Sequence, residues 1–285
     1  GMDYIGRAKL WQKKKHDAGW ACIRWPKAHG GRDASAIEQV IFNQEESKFD
    51  TPAGIFAIGQ GMCAPTMMTW ATEEQNQRFM PSLASGEEVW CQLFSEPAGG
   101  SDLAALRTKG VKDGDDWIVN GQKIWTSGAH YSDFGVLVLR TDPEAPKHQG
   151  LTYFFLDMKS PGIDIRPIKQ ITGGSSFNEV YFNDVRIPDS QRLGAIGDGW
   201  RVAITTLMNE RLAVGDANGA DAKEAFEWAQ GQDDHGQPMI KNSGVRESIA
   251  DWYCQASGLK NTKLRTMFAL SKGDTPGPEA SITKV

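Results

Sequence analysis

The sequence predicts an α+β fold in three successive parts: an N-terminal helical domain over residues 2–87, a central antiparallel β domain over 88–190, and a C-terminal helical domain over 191–285. Three observations carry this expectation. Apolar residues recur at helical spacing at both ends of the chain. Short β-prone runs separated by acidic and glycine turns fill the middle. No G-x-G-x-x-G stands between a strand and a helix, so an alternating α/β nucleotide-binding fold is not supported.

The elements follow in order. Asp3 to Ala18 reads as a helix, and Ala34 to Phe49 as a second, with Ile37, Val40 and Ile41 on its apolar face. A Met- and Thr-rich stretch, Thr66 to Trp70, precedes a polar helix over Glu73 to Phe79. That helix should end at Met80-Pro81, because proline has no N–H to donate. The character changes near Trp90. The apolar run Val89 to Phe94 is followed by Lys109 to Lys112, the turn Asp113-Gly114-Asp115-Asp116, and Trp117 to Gly121. Phe134 to Leu139, Leu151 to Leu156 and Glu179 to Phe182 continue the strand pattern. Helical signals return at Trp200 to Val214, Ala220 to Ala229 and Val245 to Ala269. Between the last two, Gly231 to Gly244 reads as a mobile loop rich in Asp, Gly and Pro.

Composition bounds the function. The chain has 285 residues, 40% hydrophobic and 24% charged, which suits a globular protein of two or three domains. The formal net charge is −5 with no basic stripe, so neither nucleic acid nor an anionic membrane is an expected partner. The densest basic cluster, Lys13-Lys14-Lys15, reads as a solvated helix face. Cys22, Cys63, Cys91 and Cys254 are scattered without C-x-x-C spacing. That predicts neither a metal site nor a disulfide framework and fits a reducing cytoplasm. No apolar run could span a bilayer, and no signal peptide is visible. Gly1-Met2 reads as a tag remnant before a start methionine.

One helix poses an electrostatic problem. Gly199 to Gly215 carries only three formal charges, Arg201, Glu210 and Arg211, so it should be buried on most sides. Helical spacing puts Trp200, Ile204, Leu207 and Arg211 on one face, with Glu210 at its edge. A buried carboxylate must be paired or stay protonated. As sequence neighbours, Glu210 and Arg211 point about 100° apart and cannot simply pair with each other. Either each finds a structural partner elsewhere, or Glu210 faces a cavity as a base and Arg211 an anionic ligand.

Two segments resemble a known family. Cys91-Gln92-Leu93-Phe94-Ser95-Glu96-Pro97-Ala98-Gly99-Gly100-Ser101-Asp102, and Asn120-Gly121-Gln122-Lys123-Ile124-Trp125-Thr126-Ser127-Gly128-Ala129, are similar to the flavin-contacting segments of acyl-CoA dehydrogenases. Trp25-Pro26-Lys27, Leu83 to Glu87, Phe182 to Pro188 and Gly197 to Trp200 resemble flanking stretches of that family in the right order. The resemblance implies a helical domain, a β domain and a C-terminal helical bundle. It also implies FAD as cofactor, an acyl-CoA thioester as substrate and an electron-transferring flavoprotein as electron acceptor. A homodimer or homotetramer in fatty acid metabolism is implied as well.

Site roles follow from the same resemblance. Gln92, Phe94 and Ser95 would line the flavin, Gly100 would allow close approach, and Ser101 would meet the pyrophosphate or the CoA. Trp125 would stand by the isoalloxazine edge, with Thr126 and Ser127 bonding its polar rim. Met208-Asn209-Glu210-Arg211-Leu212 is similar to the helix that carries the base in isovaleryl- and long-chain-type members. That resemblance implies Glu210 as the catalytic base, which would remove the α proton as a β hydride leaves for flavin N5, with Met208 and Arg211 contacting the acyl-CoA; most other members carry the base on a loop nearer the C-terminus.

The match has two departures. Family members carry Arg-x-x-Phe-Gly where this chain has Gly231 to Gln237. They also continue well beyond the position of Val285, so the chain reads as truncated and its helical bundle as incomplete. The apolar faces of Trp252, Tyr253, Leu264 and Phe268 would then favour association with a complementing subunit. Two alternatives to the dehydrogenase follow: a non-catalytic or half-site partner subunit, and a flavin acyl-CoA oxidase.

Overall fold

In the computed structural model, residues 3–52, 54–213, 222–272 and Gly277 are described, except for the side chains at 36, 211–213, 267, 270 and 271. The chain divides into two compact units. One comprises Gly1–Ala34 with Phe42–Ala213, the other Ser35–Ile41 with Val214–Val285.

The first unit opens with helix α1 (Tyr4–Asp17), capped by the Asp3 side chain, which accepts from the Gly6 N–H at 2.7 Å. Helix α2 (Ala36–Glu46) follows and crosses the division between the units. A π-helical turn, Gly59–Cys63, runs directly into α3 (Ala64–Trp70). Helix α4 spans Glu73–Ser85 and starts with a reciprocal cap between Thr72 and Gln75. It does not stop at Pro81 as the sequence suggests. Met80, Leu83 and Ala84 are buried, and their burial outweighs the roughly 3 kcal/mol that an internal proline costs. Gly86 ends it in the left-handed conformation (φ 76°). A Cβ there would lie 2.7 Å from the Gln12 side chain, so α1 passes too close for any other residue. Gln12 Nε2 in turn donates to the Ala84 carbonyl at 2.9 Å.

The sheet has eight strands: β1 (Trp90–Leu93), β2 (Lys109–Asp113), β3 (Asp116–Ser127), β4 (Phe134–Arg140), β5 (Leu151–Asp157), β6 (Ile163–Ile168), β7 (Phe177–Pro188) and β8 (Arg192–Leu193). They lie in the order β6-β7-β3-β2-β4-β5-β8, with β1 beside β4. Most pairs are antiparallel, as expected. β1, however, runs parallel to β4 from Trp90↔Phe134 to Leu93↔Leu137, and β2 meets β4 in one parallel pair, Lys109↔Arg140. Parallel neighbours need a long connection, and the β2–β3 hairpin between β1 and β4 supplies it. Strands β6 and β8 are absent from the sequence expectation. β6 lies at the sheet edge and carries Asp164, Arg166 and Pro167, so it lacks the apolar alternation of a buried strand.

Side-chain alternation gives the sheet two apolar faces. On one, Trp90, Phe94, Tyr153 and Phe155 pack with Met67, Met80, Leu83, Val202 and Ala203 of the helices. On the other, Trp117, Leu137, Phe154 and Phe182 form a second core. Helix α5 (Gly199–Ala213) packs in the first.

The second unit contains α6 (Ala222–Ala229) and α7 (Ser243–Ser271). The segment between them is a run of turns with its own internal hydrogen bonds. Asp233 Oδ1 accepts from the N–H groups of His235 and Gln237, both at 2.9 Å, and Gln232 bridges to Pro238. Asn242 Oδ1 then caps α7 through Gly244 N at 2.9 Å. Trp252, Tyr253, Leu264 and Phe268 are exposed on α7. No helix of the described residues is long and apolar enough to cross a membrane.

The cysteines differ sharply in setting. Cys63 and Cys91 are buried, Cys22 half-buried and Cys254 exposed. Burial pushes the thiols of Cys22 and Cys91 up to about 12 and that of Cys63 well above its ordinary value.

Candidate functional site

The structure brings the two motif segments together at the end of β1. Ile124 N donates to the Ser95 carbonyl at 2.8 Å. Lys123, wholly buried, reaches from β3 to the Phe94 carbonyl (3.0 Å) and to Glu96 Oε1 (2.8 Å). The same carboxylate accepts from the N–H groups of Thr108 (Oε1, 3.0 Å) and Arg107 (Oε2, 2.6 Å). Burial pulls the Lys123 ammonium down to about 8, against the pull of Glu96. Burial also opposes ionisation of Glu96, but Lys123 and the two backbone donors hold its carboxyl below the usual range.

Beyond Lys123 the strand bulges. Lys123 pairs with Val180 and Thr126 with Asn178, so Ile124 and Trp125 together oppose Glu179 alone. The bulge turns Trp125 outward at φ 59°, with its indole 57% exposed and edge-on to Phe177. Thr126 is buried, and its hydroxyl has no hydrogen-bond partner among the described residues. Its carbonyl accepts from Asn178 Nδ2 at 2.9 Å, and Asn178 Oδ1 lies 3.0 Å from His130 Nδ1. Ser127 is half-buried.

On the other side of the junction, Gln92 and Ser95 are half-buried, and the Phe94 ring packs edge-on against Tyr153 at 5.9 Å. Gly100 and Ser101 are exposed in the turn that follows, and a Cβ on Gly100 would meet no atom of the described residues within 4 Å, so none of them demands glycine there.

Helix α5 carries the candidate base. Its packed face is Gly199, Val202, Ala203 and Thr206, while Ile204 of the stripe expected from sequence is exposed. Small residues win because the helix lies against the β5 backbone: a Cβ on Gly199 would sit 2.5 Å from the Leu151 carbonyl carbon. Thr206 joins a buried hydroxyl chain, 2.8 Å from the Tyr153 hydroxyl and 2.9 Å from that of Thr66. Glu210 follows one turn later on the same side of the helix and is half-buried, as is Met208. The expected depth of burial around Glu210 is thus only partial. The Arg211 side chain lies outside the described residues.

Lys123 and Glu96 stand within the two motifs without a role expected from sequence, and neither Asn178 nor Tyr153 is among the expected site residues. A signal existed for Lys123. Alternation along β3 puts it on the same face as Trp117 and Val119, where a charge needs a partner.

The fold as a whole defines the class of protein. It superposes on one of the chains in the crystal structure of the ChsE4–ChsE5 complex from Mycobacterium tuberculosis, with a TM-score of 0.82 and 32% identity, over 98% of this chain and 72% of that one. Family models agree part by part. The acyl-CoA dehydrogenase N-terminal domain matches residues 3–87, the middle domain 91–185 and the C-terminal domain 197–285. The chain belongs to the acyl-CoA dehydrogenase family. It is similar to acyl-CoA dehydrogenase FadE26 of M. tuberculosis at 36% identity, over 94% of this chain and 68% of that protein. With FadE34 of the same organism the identity is 50% over 198 residues, 70% of this chain. The chain spans only 28% of the length of FadE34.

Proposed function

We propose that this chain forms the flavin and base-bearing part of an enzyme that dehydrogenates an acyl-CoA thioester between its α and β carbons. The observation that carries the proposal is the junction of the two motif segments. There an outturned Trp125 stands next to Thr126, whose buried hydroxyl has no partner among the described residues. A flavin edge offers a flat apolar face to the indole and acceptors to the hydroxyl, so the residues fit FAD. Bound FAD would supply the hydride acceptor.

The chain's own residues have the following roles. Trp125, Thr126 and Ser127 orient one edge of the flavin, and Gln92, Phe94 and Ser95 form the adjoining wall. Gly100 and Ser101 are open to a phosphate-bearing ligand. Glu210 on α5 takes the α proton, for which a half-buried carboxylate is suited. Met208 and Arg211, on the same helix, contact the acyl-CoA. An electron-transferring flavoprotein then receives the electrons. The absorbance spectrum of the purified chain with and without FAD tests cofactor uptake, and anaerobic bleaching by an acyl-CoA tests the reaction. Glu210→Gln should abolish bleaching while leaving CoA-product binding intact. Unchanged bleaching in that variant removes Glu210 from the mechanism. Peroxide release in air would mark an oxidase instead.

A second reading is favoured by one observation: the ChsE4–ChsE5 structure that this fold matches is a complex of two different chains. On that reading the chain is one subunit of a mixed assembly. A colourless protein that takes up no FAD alone, but does so with a complementing subunit, would support it.

A further inference from the structure

We propose that the buried Lys123–Glu96 pair is a positioning device that locks the bulge presenting Trp125. The link to flavin rests on the FAD reading above; the link to Trp125 does not.

The geometry is specific. The bulge frees the Ile124 N–H from the β3–β7 ladder, and a freed donor next to the core must find another acceptor. It finds the Ser95 carbonyl, at 2.8 Å. Ser95 is held from both sides by one ammonium group: Lys123 Nζ bonds the carbonyl of Phe94 before it and the carboxylate of Glu96 after it. Glu96 is fixed in turn by two backbone donors, Arg107 N and Thr108 N. The side chain one residue before Ile124 thus sets the acceptor that Ile124 needs.

The conformation of Trp125 explains why such a device is required. A non-glycine residue at φ 59° costs about 1–2 kcal/mol, and such a backbone persists only where its surroundings over-determine it. Trp125 is itself exposed, so its own packing cannot do this. The buried pair lies immediately behind it and makes the only charged contact to the Phe94–Glu96 segment among the described hydrogen bonds.

The test uses the full chain in its apo form and with FAD. The Trp125 indole is followed by NMR, assigned by its loss in Trp125→Phe, together with hydrogen exchange at the Ile124 amide. Trp117, at the far end of β3, serves as control. In Lys123→Met, the Trp125 signal should shift and Ile124 should lose protection while Trp117 keeps its position. FAD affinity should fall by about tenfold, equivalent to ~1.4 kcal/mol. If Lys123→Met fails to fold, the neutral pair Lys123→Met with Glu96→Gln removes the unpaired charge and is measured in the same way. An unshifted Trp125 with Ile124 protection retained overturns the proposal, as does a loss of protection equal at Trp117 and Ile124. A wild-type chain that binds no FAD, alone or with a complementing subunit, would sink the cofactor reading alone, since the apo measurements still decide what the pair does.

Discussion

The two halves of the candidate site are held by different chemistry. On the sheet side, a buried ion pair and backbone donors fix the Phe94–Glu96 segment against the Trp125 bulge. On the helix side, α5 is anchored beneath Glu210 by neutral hydroxyls, Tyr153 to Thr206 to Thr66, with the Trp70 indole donating to Thr205. Phe94 and Tyr153 touch, so the two anchors meet ring to ring. A charged anchor in a dry core is all-or-nothing, because losing one partner strands the other. Hydroxyls lose single bonds of modest worth and can re-pair. The strand that carries the Trp125 bulge is therefore built to hold one geometry, and the helix that carries Glu210 tolerates adjustment.

The sharpest way to break this contrast is Lys123→Met. It should lower stability by about 3–5 kcal/mol in urea unfolding, because it leaves Glu96 ionised and buried. A loss near that of a hydroxyl deletion would erase the distinction. On the helix side, Thr206→Val should cost about 1–3 kcal/mol, by taking the partner of the Tyr153 hydroxyl and one of the two of Thr66, which keeps the Met62 carbonyl. Tyr153→Phe should cost less, about 1 kcal/mol, since Thr206 keeps Thr66.

A pH series sharpens the same point. Lys123 titrates at about 8 in the folded chain, against about 10.4 when unfolded. Between those values the unfolded chain holds a proton that the folded chain has released, so this group makes stability rise with pH. Below pH 8 the desolvation penalty is present in full. The raised thiols of Cys22, Cys63 and Cys91 push the other way over the same range, so the Lys123 contribution is read as a difference: the wild type should gain stability relative to Lys123→Met as pH rises from about 8 to 10. The smallest effect is expected for Trp125→Gly, which relieves the left-handed strain and should change stability by no more than about 1 kcal/mol. Its FAD uptake should nonetheless weaken, which separates presentation of the indole from folding.

Much of the fold was legible because local patterns and global structure agree. The helices at both ends and the hairpin turn at Asp113–Asp116 carry their own signals. What was missed depended on distant parts of the chain. The packed face of α5 is set by the approach of Gly199 to Leu151, a contact that helical periodicity cannot contain. The end of α4 is set by burial that overrides Pro81. At the site, Trp125 and Thr126 were legible from a motif. Their support was not, since the partners Glu96, Asn178 and Lys123 become neighbours only once β1, β3 and β7 are assembled.

The cysteine settings have a practical consequence. Three thiols are held protonated by their surroundings and will resist maleimide at neutral pH, while Cys254 stands exposed on α7. The unmodified sequence is thus expected to accept a single fluorophore, on the second unit and away from the residues of the candidate site in sequence. A dye placed there offers a direct optical reporter of whether α7 gains a neighbour when a second chain, or a second copy, is added.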